Sequence, residues 1–237
     1  MSNTFTIAWK EIKTYFSSPM AYIVATVFLS ITGFLFVRSI SAPFAEASIR
    51  GWILDTSFLF ALWSPVLTMR LLAEEQKLGT LELLMTSPVR DYEIVLGKYI
   101  ASIVILISTL ALTLYYTLLL FWFGNPDIGP LLTGYLGVML YGSATLAIGL
   151  LASSLTSNQI VAAVVAFGIL LILTLLEQAA DVTSGQVAVV LEHLSLTGHF
   201  QDFARGIIDT KNVVYYVSCI VLFLFLATRN LESRRWR

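Results

Sequence analysis

The chain has 237 residues, 57% of them hydrophobic and 12% charged, with a mean hydropathy of +0.83 and a formal net charge of −1. Soluble domains carry about 25% charged residues, so the composition excludes an ordinary soluble globular protein and points to an integral membrane chain. The near-neutral balance argues against a nucleic-acid partner, which needs a basic patch; the single cysteine, Cys219, excludes an intrachain disulfide and any cysteine-based metal site.

In chain order, residues 4–17 come first. Phe5, Ala8, Trp9, Ile12 and Phe16 recur at spacings of three and four, with Lys10, Glu11 and Lys13 mostly on the other side. This pattern predicts an amphipathic helix lying along the membrane interface. Ser17-Ser18-Pro19 breaks it, and residues 20–38 form the first predicted span. Its apolar run exceeds the 7–15 residues of a signal peptide, so it reads as an uncleaved anchor, although Ser41-Ala42 ahead of Pro43 has the look of a cleavage site.

Residues 52–70 form the second span. Asp55 near its start is either a pathway residue or an interfacial one at the outer rim, since a carboxylate at the bilayer centre would cost about 2.5–3.5 kcal/mol. Ser64-Pro65 inside the span predicts a kink. A polar loop over 71–97 is followed by the third span, 98–123, which ends at the turn signal Gly124-Asn125-Pro126-Asp127.

From Ile128 to Leu176 the chain carries no charge. One helix of that length would run roughly 74 Å, against a hydrocarbon core of about 30 Å, so it must fold back. The polar cluster from Ser153 to Gln159 places the turn, giving spans four (130–153) and five (159–177). Small residues in span four, including Gly134, Gly137, Gly142 and Gly149, read as close packing within one subunit.

Residues 178–211 hold two short apolar stripes, Val187, Val190, Leu191, Leu194 and then Phe200, Phe203, Ile207, expected as outer or reentrant helices. His193 and His199 are six apart and do not share a helical face, so no metal site is expected; Glu177, Asp181, Glu192, Asp202 and Asp209 read as a solvated acidic face. The sixth span covers 212–229. Trp9, Trp52, Trp63, Trp122 and Trp236 read as interface anchors. The expected fold is therefore an all-α integral membrane protein, one domain over 1–237 with six transmembrane helices.

Positive residues orient such a chain. Lys10, Lys13, Arg70, Lys77, Arg90, Lys98, Arg229, Arg234, Arg235 and Arg237 lie on one side, and only Arg38, Arg50, Arg205 and Lys211 on the other. The bias predicts that both termini, the 71–97 loop and the 153–159 turn face the cytoplasm.

Within that loop, Leu78, Leu81, Leu84 and Met85 recur at helical spacing, Gly79 allows a tight entry, and Ser87 reads as the N-cap of a new helix opened by Pro88. A two-turn helix is marginal alone. It needs either its own membrane domain or a partner to pack on, and the residues leave the two open. The pattern Glu75-x3-Gly79-Thr80-Leu81-Glu82-Leu83-Leu84-x3-Pro88, followed by Gly97-Lys98, resembles the cytoplasmic loop of ABC-2-type transporter permeases. Gln76 departs from that pattern, in which an Arg follows the acidic residue. The phrases SSPMAYIV and GHFQDFARGIIDTKNVVYY resemble the permeases of gliding motility and of multicopper-enzyme maturation.

The resemblance implies that Glu75, Leu78, Gly79, Thr80, Leu81, Glu82, Leu84, Met85 and Pro88 form the coupling element for an ATPase, and that Phe5, Trp9, Lys10 and Lys13 belong to an elbow helix over 4–17. It implies a bacterial inner-membrane exporter with two copies of an ATPase subunit, which hold ATP and Mg, beneath a homodimer or heterodimer of permeases. No GxxxxGK[ST] sequence occurs, so nucleotide hydrolysis is expected in the partner and no cofactor in this chain. Asp55, Thr56, Pro65, Thr174 and Glu177 are candidate pathway residues along spans two and five. The alternative is a subunit that moves no solute and transmits motion to a periplasmic or membrane accessory protein, for which 178–211 offers a seat. An intramembrane enzyme is disfavoured, because polar residues inside the spans are few.

Overall fold

The structure, a computed structural model, describes residues 3–41 and 49–235, apart from the side chains of Met85 and Arg235. Ala42, Pro43, Trp236 and Arg237, and the side chains of Met85 and Arg235, therefore lie outside the described set. Eleven α-helices follow in order: α1 (Asn3–Ser17), α2 (Pro19–Ile40), α3 (Arg50–Thr68), α4 (Ala73–Leu78), α5 (Thr80–Thr86), α6 (Asp91–Phe123), α7 (Ile128–Leu155), α8 (Gln159–Val182), α9 (Gln186–Leu194), α10 (Gln201–Ala204) and α11 (Thr210–Arg235). The described residues contain no strand, and six helices are long and apolar enough to cross a membrane.

Local chemistry fixes the breaks. Pro19 opens α2 with Ser18 as N-cap, its Oγ accepting from Met20 N at 3.3 Å. Asn158 caps α8, its Oδ1 accepting from Ile160 N at 2.9 Å, so the long uncharged run does fold back within the Ser153–Gln159 cluster. α6 starts at Asp91, where the Glu93 carboxylate accepts from Arg90 N at 2.9 Å. Ser87-Pro88 consequently lies in the connection before α6 and does not open it. The reason is that Glu93 supplies a charge-assisted cap three residues downstream, which the Ser87 hydroxyl does not match.

The six long helices are not equivalent. α3 and α7 are the centre of the bundle, with most of their surface buried, while α2, α8 and α11 are buried on a minority of theirs and offer broad apolar faces outward. The small residues of α7 make that centre possible. A Cβ on Gly134 would fall 2.1 Å from Ile53 Cδ1, on Gly137 2.5 Å from Phe203 Cβ, and on Gly149 2.1 Å from Thr68 Oγ1. Span four is thus packed inside the subunit by backbone approach. Aromatic side chains fill the rest. Phe28 and Trp63 lie 4.8 Å apart, Phe60 meets Tyr141, and Tyr141 meets Phe200.

Trp52 and Trp63 correct the interface-anchor reading. Both are buried, and Trp52 Nε1 donates to Thr32 O at 3.0 Å. Because α3 is central, a tryptophan there meets neighbouring helices instead of headgroups. Trp9 and Trp122 remain exposed, as anchors must be.

Opposite the Ser153–Gln159 turn, the short elements α9 and α10 cover the other end of the bundle. Phe200 and Phe203 are buried, Thr133 Oγ1 donates to Phe203 O at 2.9 Å, and Tyr216 Oη donates to Leu196 O at 2.6 Å. α9 buries none of its residues.

Candidate functional site

At the end of the bundle that carries the Ser153–Gln159 turn, α1, α4, α5, the first turns of α6 and the last turns of α11 come together. α1 lies on α6 at Gly97, where a Cβ would sit 2.8 Å from Ile7 Cγ2 and 2.9 Å from Thr4 O. The face of α1 turned inward carries Thr4, Ile7, Ala8, Glu11 and Tyr15, and only Ala8 among its residues is fully buried. Phe5, Trp9 and Phe16 point outward, as do Lys10 and Lys13, with Lys13 Nζ 5.5 Å from the Trp9 ring centroid. Of the apolar face predicted for the elbow, Phe5, Trp9 and Phe16 look outward, suited to lipid, while Ala8 is buried against the bundle. A mixed face, with Glu11 inward, holds it to the bundle.

Glu11 turns inward because of Lys98. The Lys98 side chain is 1% exposed, and its ammonium lies 2.8 Å from Glu11 Oε1 and 2.9 Å from Glu75 Oε1. One cation thus joins the elbow helix, α4 and the head of span three. A buried ion costs several kcal/mol in desolvation unless closely paired, and two carboxylates supply that pairing. The second Glu75 oxygen, Oε2, is buried without a hydrogen-bond partner. From the sequence, Lys98 enters as an orienting charge and as the end of the Gly97-Lys98 pair that closes the loop pattern, with no ion partner. Its one signal was a lysine placed at the head of a long apolar run directly after a glycine.

Two further ties fix this end. The Tyr15 hydroxyl donates to Leu67 O, a carbonyl left free where α3 ends. Burial pushes the Tyr15 phenol well above its ordinary value, so it remains a donor. On the other flank, Ser153 Oγ accepts from Leu72 N and Ala73 N, both at 3.0 Å, and donates to Met69 O at 3.1 Å. Ser154 O accepts from Gln76 Nε2 at 2.9 Å, Asn230 Nδ2 at 2.6 Å and Arg234 Nη2 at 3.2 Å. The exit of span two, the four–five turn and the end of span six are bound at one point.

The expected 78–85 contact helix is two elements. Gly79 has φ 70°, a left-handed conformation open to glycine, and separates α4 from α5. Leu78 belongs to α4 and is exposed. In α5, Leu81 is 4% exposed within the chain's own core and Leu84 packs partly against it, while Thr80, Glu82 and Leu83 face out. The predicted stripe is thereby corrected. The left-handed turn at Gly79 rotates Leu78 away from Leu81 and Leu84, which pack inward. What remains open to a partner is Leu78, Thr80, Glu82 and Leu83, with exposed Pro88 beyond.

The candidate pathway residues are not brought together. Asp55 sits on an exposed face of α3. Thr56 is buried, its hydroxyl donating to Trp52 O at 2.6 Å, and Pro65 is buried within the same helix. Thr174 donates to Leu170 O at 2.8 Å, and Glu177 accepts from Gln201 Nε2. Glu177 borders a cavity of about 650 Å³, at the end of the bundle away from the Ser153–Gln159 turn, that also takes Asp181, Glu192, His193, His199 and Asp202; none of the other four candidates lines it. His199 is held by Asn212 Oδ1 at 2.7 Å and stacks on Tyr215. Among the described residues no group of three or more His, Cys, Asp or Glu is arranged to hold a metal ion.

Residues 5–188 match the family described as ABC-2 family transporter protein. Over 94 residues the chain is 30% identical to the probable multidrug ABC transporter permease YbhR of Escherichia coli strain K12, and equally to that of strain O157:H7. The aligned part is 40% of this chain and 25% of those proteins, so the chain matches about a quarter of their length.

Proposed function

Because this chain belongs to the ABC-2 family of transporter proteins, we propose that it is the membrane subunit of an ATP-driven exporter, moved by a separate ATPase that docks on α5. The observation that carries this reading is the outward surface of Leu78, Thr80, Glu82 and Leu83 around a left-handed glycine, at the end of the bundle where elbow and spans are tied together. The pattern predicted as a coupling element thus has a free face and an anchored one. The partner grips the free face, and Leu81 and Leu84 carry the displacement into the core. Glu75, Met85 and Pro88 complete the element in this proposal.

The excess of Lys and Arg on this side supports placing it in the cytoplasm of a bacterial inner membrane, with both chain ends on that side. Two ATPase copies, each with ATP and Mg, act on a pair of permease subunits. A partner shifts the membrane conformation only if it binds one state more tightly than the other. Spans two and five then open the route in which Asp55, Thr56, Pro65, Thr174 and Glu177 take part.

The test is Leu83→Asp and Glu82→Lys, both at exposed positions, in the purified complex. The expected result is loss of ATPase copurification and of permease-dependent ATP hydrolysis, with unchanged membrane insertion. Full coupling in both variants refutes docking at α5.

A second reading has a specific observation behind it. α9 buries no residue and presents Val187, Val190 and Leu194 outward beside the cavity that Glu177 borders. An accessory protein seated there would receive the motion, and no solute would cross. Reconstitution in liposomes with candidate cargo separates this from export.

A further inference from the structure

We infer that Lys98 is the positioning residue of the coupling machinery: its ammonium fixes the elbow helix and α4 to the head of span three, so that these three segments move as one unit. The inference rests on the docking reading above for its functional consequence, but not for its geometry.

Three observations carry it. First, the two carboxylates that meet at Lys98 come from different elements, Glu11 from α1 and Glu75 from α4, and like charges oppose that approach. Only the ammonium between them makes it favourable, and with three donors it can serve both. Second, no hydrogen bond joins α1 directly to α4 among the described residues; the two are registered through Lys98. Tyr15 ties α1 to the end of α3, and Ser153 and Ser154 tie α4 to the four–five turn. Third, Ala73 and Gln76 hold the six-residue α4 to the four–five turn, and Glu75 joins it to the elbow through Lys98. Without Lys98, a push at α5 would reach α4 and the four–five turn while the elbow stayed behind.

Stability alone does not account for the cluster. Replacing a buried ion network by neutral groups of similar size is often neutral or stabilising. What a charged cluster adds is direction, since the ammonium lies within 3 Å of one oxygen from each of two segments.

The experiment compares the natural cluster with a neutral one, Glu11→Gln with Lys98→Met and Glu75→Gln, in the full chain with Cys219→Ser. Spin labels are placed at Thr6→Cys on the elbow and Lys77→Cys on α4, both exposed positions, in nanodiscs. The natural cluster is expected to give one narrow distance distribution and the neutral cluster a broadened or displaced one, at a thermal midpoint no lower than the parent's. In the complex with the partner ATPase, the neutral cluster is expected to lower permease-dependent hydrolysis at least tenfold. An unchanged distance distribution overturns the inference, and so does full coupling in the neutral variant. If the neutral variant does not insert, Glu75→Gln alone, which keeps the Lys98–Glu11 pair, is read in the same two assays by the same criteria. A parent chain that brings down no ATPase sinks the docking reading instead, and the distance measurement still decides what Lys98 positions.

Discussion

Gly97→Ala tests the seat of the elbow. The new methyl carbon would lie 2.8 Å from Ile7 Cγ2, 2.9 Å from Ile7 Cβ and 2.9 Å from Thr4 O, where ordinary contact begins at 3.4 Å. Two of these three atoms are a backbone oxygen and a β-carbon, both at 2.9 Å, which no rotamer change removes, so α1 itself must retreat by about 0.5 Å to reach 3.4 Å. Lys98 is the next residue, and the same retreat stretches its 2.8 Å contact with Glu11 beyond the about 2.7–2.9 Å of a strong charged hydrogen bond. Overpacking costs about 1–3 kcal/mol, and the alanine recovers about 0.8–1.0 kcal/mol of helix propensity. A net loss of about 1–2 kcal/mol follows once the weakened ion contact is added, which is about 2–8 °C in midpoint for a chain of this size. Gly168→Ala is the matched control, since nothing lies within 4 Å of its added carbon, and it should be neutral or slightly stabilising. Thermal unfolding in nanodiscs at one scan rate, with protease access to the elbow, compares the two. A Gly97→Ala midpoint equal to or above that of Gly168→Ala would refute close backbone packing of α1 on α6.

Three other outcomes are expected. Tyr15→Phe leaves Leu67 O without its donor and should cost about 1–3 kcal/mol; because burial raises the folded phenol value, this contribution is fully present below about pH 10 and fades only as the pH climbs through the higher folded value. The gap between Tyr15→Phe and parent should therefore stay constant from about pH 6 to 9 in denaturation series. Leu81→Ala should destabilise by about 2–5 kcal/mol, whereas Leu83→Ala should stay within about 0.5 kcal/mol, as measured by chemical unfolding; equal effects would contradict the inward turn of Leu81. Gly149→Ala, whose added carbon would meet Thr68 Oγ1 at 2.1 Å, should lower the yield of folded protein in size-exclusion profiles more than Gly168→Ala does.

Sequence alone determined the class and the count of spans. A bilayer demands long apolar runs, and the runs, their breaks and the Ser153–Gln159 turn are written directly in residue types. The elbow was legible from its period, the loop from its charges, and the family from the Glu75–Pro88 pattern. The small residues of span four pointed to close packing within the subunit, which their contacts with Ile53, Phe203 and Thr68 bear out.

Only the tertiary structure decided which way each face turns. In a membrane both the lipid side and the core side of a helix are apolar, so hydropathy does not distinguish central α3 from peripheral α2, and Trp52 and Trp63 were misplaced at the interface for that reason. A soluble helix advertises its buried side by hydrophobicity; the elbow inverts this, with Phe5, Trp9 and Phe16 outward and Glu11 inward. The same inversion hid Lys98, whose partner Glu11 is 87 residues away in sequence. Gly79 splits the expected stripe by a single left-handed residue, a rotation that spacing cannot display. The loop that sequence marks as the coupling element therefore became two helices, one anchored face and one free face, around an ion cluster that exists only in three dimensions.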